Sequence, residues 1–191
     1  MTGLEMAQDQ QTLQSAFSAS YKAEGEGDYT KAANAMKKVF DKDSYEINLR
    51  LGWLSYKAGL FDDSESYYQR AIQLMPYGIE ARFGLINPLA SKGQWDHVIQ
   101  HYQEILKIDP QNSLANFRLG LVYYGREEYA KAEPLFTKVV NLWPFDYDGL
   151  HMLAWTMLRL GKTQEAKALF NKALLYRPGD ASSQEGLSLI K

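Results

Sequence analysis

The chain has no cysteine. That excludes disulfides, thiolate nucleophiles and cysteine-based zinc sites, without fixing the compartment. It has almost no net charge: 21 basic and 23 acidic side chains leave −2. A nucleic-acid backbone calls for a strongly basic face, so no nucleic-acid partner is expected. No apolar run approaches the roughly 18 residues a membrane helix needs, so no membrane insertion is expected either. The N-terminal MTGLEMAQDQQ lacks the basic and apolar regions of a signal peptide. A cytoplasmic location follows, or an exported or periplasmic one if a leader has been removed ahead of Met6. Also missing are a phosphate loop, a nucleophile elbow and a dinucleotide fingerprint. The sequence therefore points to no catalytic residue and no cofactor.

What is present is a period. Pro76, Pro110, Pro144 and Pro178 are each 34 residues apart. Tyr68, Tyr102, Phe136 and Phe170 repeat at the same distance, as do Ala71, Ile105, Val139 and Ala173, and Gly52, Ile86, Gly120 and Ala154. Four ladders in one phase mean a stacked repeat architecture. At 191 residues the chain suits a single domain.

In chain order, residues 1–10 show no periodicity and are expected to form a flexible N-terminus. Residues 11–191 form one domain, with repeats at about 11–43, 44–77, 78–111, 112–145 and 146–179 and a capping helix over 180–190. The first helix is expected from Gln11 to about Gly25, with Leu13, Ala16, Phe17, Ser20 and Tyr21 at helical spacing. Asp28 and Ser44 are expected N-caps, because their side chains can accept the unpaired amides of a first turn. Gly59 closes a helix where a left-handed backbone is needed, and Asp62 or Asp63 is expected to open the next. The first repeat is two residues short and lacks the terminal proline; the deletion is placed in the Asp41–Ser44 turn, after a helix ending near Asp41. Pro88 and Pro134 fall inside predicted helices, where the missing amide predicts a kink or local adjustment, stronger at Pro88.

The helix–turn–helix repeats and their punctuation resemble the tetratricopeptide repeat family. The fourth repeat carries the pattern as Leu119-Gly120, Tyr123, Ala132, Phe136, Val139 and Pro144. The fifth carries it as Leu153-Ala154, Met157, Ala166, Phe170, Ala173 and Pro178, and the second as Leu51-Gly52, Ser55, Ser64, Tyr68, Ala71 and Pro76. The third departs most, with Ile86, Leu89, Val98, Tyr102, Ile105 and Pro110. The resemblance implies an all-α, right-handed superhelical solenoid of antiparallel helix pairs, in which the first helix of each pair lines a concave face.

Projected on that fold, the concave positions are Phe17, Tyr21, Leu49, Arg50, Trp53, Tyr56, Phe83, Asn87, Phe117, Arg118, Leu121, Tyr124, His151, Trp155 and Arg159. Aromatics are preferred interface anchors, and an apolar exposed face marks an interaction site. A protein or peptide partner is expected in this groove, unless the chain's own N-terminus fills it. Arg50, Arg118 and Arg159 would select an acidic partner. The family's chaperone-binding clamp is absent, because Phe83 and Leu114 stand where basic residues would be needed. His97 and His101 are four apart, a spacing that suits metal ligation, but Asp96 is the only further ligand nearby and no metal site is assigned. The reading is a non-catalytic interaction adaptor; the alternative is a structural scaffold that self-associates into a homo-oligomer.

Overall fold

The structure, a computed structural model, describes the backbone of residues 3–190 and the side chains of residues 9–190. The described residues form eleven α-helices and no strand. They are α1 (Gly3–Gly25), α2 (Tyr29–Lys37), α3 (Tyr45–Lys57), α4 (Phe61–Leu74), α5 (Ile79–Ser91), α6 (Trp95–Ile108), α7 (Ser113–Gly125), α8 (Tyr129–Leu142), α9 (Tyr147–Arg159), α10 (Thr163–Tyr176) and α11 (Ala181–Ser188). The helices fall into two compact bodies, Met1–His101 and Tyr102–Lys191, with the boundary inside α6.

Sequence chemistry sets the helix ends. Asp28 accepts the Lys31 amide at 2.8 Å, and Ser44 accepts the Ile47 amide at 3.3 Å, so both expected N-caps operate. Asn112, Asp146 and Asp180 cap α7, α9 and α11 in the same way. Gly59 has φ 77°, the left-handed turn its position called for.

Three details depart from expectation. First, α1 begins at Gly3, eight residues before Gln11; residues 1 and 2 lie outside the described residues. Second, α4 opens from Leu60, which makes no side-chain cap, and Asp62 and Asp63 sit in its first turn, where a carboxylate complements the helix dipole instead. Third, the short first repeat loses its length from a helix. α2 has 9 residues against 14 in α4, stopping at Lys37, and the segment up to Ser44 is correspondingly long. Buried Asn48 pins that segment by donating to the carbonyls of Asp41, Lys42 and Ser44. As expected, Pro88 lies inside α5, where it is buried, and Pro134 inside α8.

In the first body α1, α2 and α3 bury Ala23, Ala32, Met36, Ile47, Leu51 and Leu54 in one core. Tyr68 of α4 is held between two glycines: a Cβ built on Gly52 would lie 2.9 Å from its ring, and one on Gly84 only 2.2 Å. In the second body Phe136 lies against Gly120 and Phe170 against Gly186 in the same manner. Glycine thus lets neighbouring helices meet across an aromatic ring. Fully burying such a side chain stabilises by about 1.5–3 kcal/mol.

Candidate functional site

In the first body a cavity of about 500 Å³ opens between α1, α3, α4 and α5. Phe17 and Tyr21 line it from α1, and Tyr45, Glu46, Leu49, Arg50 and Trp53 from α3. Tyr68 of α4 and Glu80 and Gly84 of α5 complete the wall. The i, i+4 spacing of Phe17 and Tyr21, and of Leu49 and Trp53, puts each pair on one helical face.

Arg50 is the electrostatic centre. It is only 8% exposed. Its Nη1 pairs with the Glu24 carboxylate at 2.5 Å, and its Nε donates to the Ser20 hydroxyl at 3.1 Å. The Tyr21 ring covers the guanidinium, 4.2 Å from ring centre to Cζ, in a cation–π arrangement. Trp53 Nε1 donates to the other Glu24 oxygen. Burial raises the Glu24 pKa, but the hydrogen bonds from Trp53 and Arg50 and the nearby charges of Arg50 and Lys57 outweigh it, so the carboxyl is held below its ordinary value. One donor is left over: Arg50 Nη2 is buried and has no acceptor among the described residues. A buried unsatisfied donor costs about 1–3 kcal/mol.

Five of the projected residues therefore meet at one cavity: Phe17, Tyr21, Leu49, Arg50 and Trp53. Arg50 is not the solvated rim charge that its position suggested, since its charge is taken up by Glu24. Tyr56 is half-buried beside Trp53 and Phe61, with ring centres 6.0 and 6.1 Å apart. Phe83 and Asn87 on α5 are half-buried and lie off the cavity wall. Sequence reasoning missed Ser20 and Glu24 as the partners of Arg50, and Tyr45 and Glu80 as lining. The available signal was the four-residue step from Ser20 to Glu24, which puts both on the α1 face that carries Tyr21.

In the second body the remaining candidates form separate groups. Phe117 packs edge-on against Phe136 at 5.7 Å and lines a cavity of about 260 Å³ with Leu114, Trp143 and Asp148. Arg118 is exposed and bonds the Tyr102 hydroxyl, and Leu121 is exposed. Tyr124 contacts Tyr129 at 5.2 Å and hydrogen-bonds Arg159, whose guanidinium lies 5.9 Å from the Trp155 ring centre. His151 stacks on Tyr147 at 5.3 Å, and its Nε2 lies 2.9 Å from the Ser182 hydroxyl. Trp155 Nε1 points at both groups, at 3.1 Å each. These contacts tie Ser182 of α11 to His151 and Trp155 of α9. Burial, opposed by Asp180 and Asp148 and assisted by Arg177, holds the His151 pKa below the ordinary imidazole value.

His97 is exposed, with Nδ1 3.4 Å from Gln94 Oε1. Among the described residues no group of three or more histidine and carboxylate side chains is arranged to hold a metal ion. No helix among them is long and apolar enough to cross a membrane.

Comparison with known proteins agrees with this architecture. Two tetratricopeptide repeat family models match the chain, one over residues 123–189 and the other over 19–79 and 86–147. The TPR repeat-containing protein YpiA of Bacillus subtilis is 28% identical over 160 residues, covering 83% of this chain and 37% of the relative. The chain thus spans little more than a third of that relative's length. Among solved structures, the MamA protein superposes with a TM-score of 0.75 at 25% identity, over 86% of this chain and 91% of that one. A tetratricopeptide repeat protein from Parabacteroides merdae gives 0.79 at 20% identity, over 93% and 72%. With a family match over well more than half of its length, the chain belongs to the tetratricopeptide repeat family, an interaction scaffold built from stacked helix pairs.

Proposed function

We propose that the chain is a non-catalytic adaptor that holds a segment of a partner protein in the first-body cavity. The supporting observation is the convergence of Phe17, Tyr21, Leu49 and Trp53 on one concavity whose most exposed ring, Tyr21, is 56% accessible. Exposed aromatic side chains rimming a pocket are the usual anchors of a protein interface. The two tryptophans make poor test sites, because Trp53 holds Glu24 and Trp155 packs edge-on against Phe170 at 5.3 Å. Tyr21 is the better probe. Tyr21→Ala should lower partner capture by cross-linking in the native cell about tenfold or more, as expected for an interface anchor. The helical circular dichroism of the variant should match that of the parent. Undiminished capture by the folded variant would remove the cavity from the reading.

The second reading is self-association. It is favoured by the exposed apolar side chains Leu142, Trp143, Phe145, Leu175 and Tyr176 of the second body. Phe145 and Tyr176 lie 5.3 Å apart and form one patch, of the kind that marks an interaction surface.

A further inference from the structure

We propose that the first-body cavity selects a cationic segment, one in which a lysine or arginine stands beside an apolar or aromatic side chain. This rests on the adaptor reading above and specifies its partner's chemistry. Three carboxylates, Glu24, Glu46 and Glu80, stand at or beside the cavity against one guanidinium, that of Arg50. Glu24 and Arg50 neutralise each other. Glu46 and Glu80 remain, both exposed on the cavity wall, and neither forms an ion pair among the described residues. Each receives one hydroxyl, Glu46 from Ser44 at 3.1 Å and Glu80 from Tyr45. A carboxylate can accept about four hydrogen bonds, so both keep capacity for an incoming ammonium or guanidinium. Lys57, whose charge acts on Glu24, stands over the rings of Tyr29 and Trp53, at 5.2 and 5.4 Å.

The rest of the wall suits such a ligand. Aromatic faces accept the aliphatic stem and the charge of a lysine or arginine, and the apolar neighbour fits among Phe17, Leu49 and Trp53. Arg50 supplies the remaining contact. Its Nη2, without an acceptor among the described residues and roofed by Tyr21, is placed to donate to a main-chain carbonyl of the segment once that ring turns aside. An acidic segment would meet Glu46 and Glu80 with like charge and find no unpaired cation on the wall.

The test is a selection of random displayed dodecapeptides on the full-length chain. Selected sequences are then synthesised and their affinities measured by titration at low and high salt. Enrichment of Lys or Arg next to Phe, Trp, Leu or Met is expected, with Asp and Glu depleted. The double variant Glu46→Gln/Glu80→Gln should bind the selected peptides about three- to thirtyfold more weakly, from two exposed charge pairs, and should lose most of the salt dependence. Both positions are exposed, so the fold should be kept, as circular dichroism will show. Peptides that lose affinity with Tyr21→Ala but show no basic bias, or are unaffected by the double variant, overturn the charge assignment and leave the cavity reading standing. Peptides unaffected by Tyr21→Ala overturn both.

Discussion

Glu127 adopts φ 61°, while the corresponding turns use Gly27, Gly59, Gly93 and Gly161 at φ between 71° and 79°. A Cβ in the left-handed region costs about 1–2 kcal/mol, partly offset by the entropy a glycine loses. Glu127→Gly should therefore stabilise the second body by about 1 kcal/mol, raising the thermal midpoint by about 2–4 °C. An unchanged or lower midpoint would mean that the glutamate's attraction for Arg159 outweighs the strain. Gly84 predicts the opposite sign. In an exposed helix, Gly→Ala stabilises by about 1 kcal/mol. Here the new methyl meets the ring of Tyr68, which is 2% exposed and closely packed. Gly84→Ala should destabilise by about 1–3 kcal/mol in urea unfolding, and a gain in stability would refute the glycine–ring packing. Asn48 shows a third kind of residue effect. It and Asn116 hold the same repeat position, and both donate to carbonyls of the preceding turn. Such loop-closing donors escape a reading based on apolar periodicity.

Among the elements, α11 shows how a short helix packs against the pair before it. Its Gly186 approaches Phe170, Leu187 and Ile190 pack on the cluster around Ala154, Ala166 and Phe170, and Ser182 meets His151. The His151 pKa is lowered in the folded chain, mainly by burial. The neutral imidazole is therefore the form the fold prefers. Its contribution is complete above the ordinary imidazole pKa of about 6.5 and is lost as pH falls through the depressed folded value. Amide exchange in α11 should therefore quicken between pH 7.5 and 5.5, and His151→Gln should flatten that dependence. Exchange rates for α11 that do not respond to this change, once corrected for intrinsic chemistry, would rule out the histidine as the sensitive group. The same scale shows what the sequence could and could not reveal. Helices α3 to α10 were legible because the 34-residue period and the cap Ser44 are local signals. The extension of α1 to Gly3 was not, because its face has no strong apolar periodicity. The early end of α2 was also hidden, because the segment after it is held by a distant side chain, Asn48.

For the molecule as a whole, the candidate site was only partly readable for the same reason. Helical spacing puts Phe17 with Tyr21 and Leu49 with Trp53 on one face each, and only the family resemblance projected these pairs and Arg50 together onto a concave surface. Neither carries information about ion pairing between helices, which turned Arg50 from a presumed selector of acidic partners into a buried, neutralised group. If the alternative of self-association holds, sedimentation over a wide concentration range should show a rising weight-average mass, abolished by Trp143→Ser with Phe145→Ser. A chain that stays monomeric at the highest concentration would exclude it.

The aromatic–glycine contacts carry a consequence for recombination. Tyr68 requires Gly52 and Gly84 on its two sides, Phe170 requires Gly186, and Tyr102 meets Arg118 at the position 34 residues beyond Gly84. The repeats look interchangeable by period, yet Tyr68 and Tyr102 meet different residues, Gly84 and Arg118, at one repeat position. Duplicating or reordering them would set the wrong residue against the wrong ring, such as an arginine pressed onto Tyr68. The order of the repeats is therefore part of the packing, although the period alone does not show it.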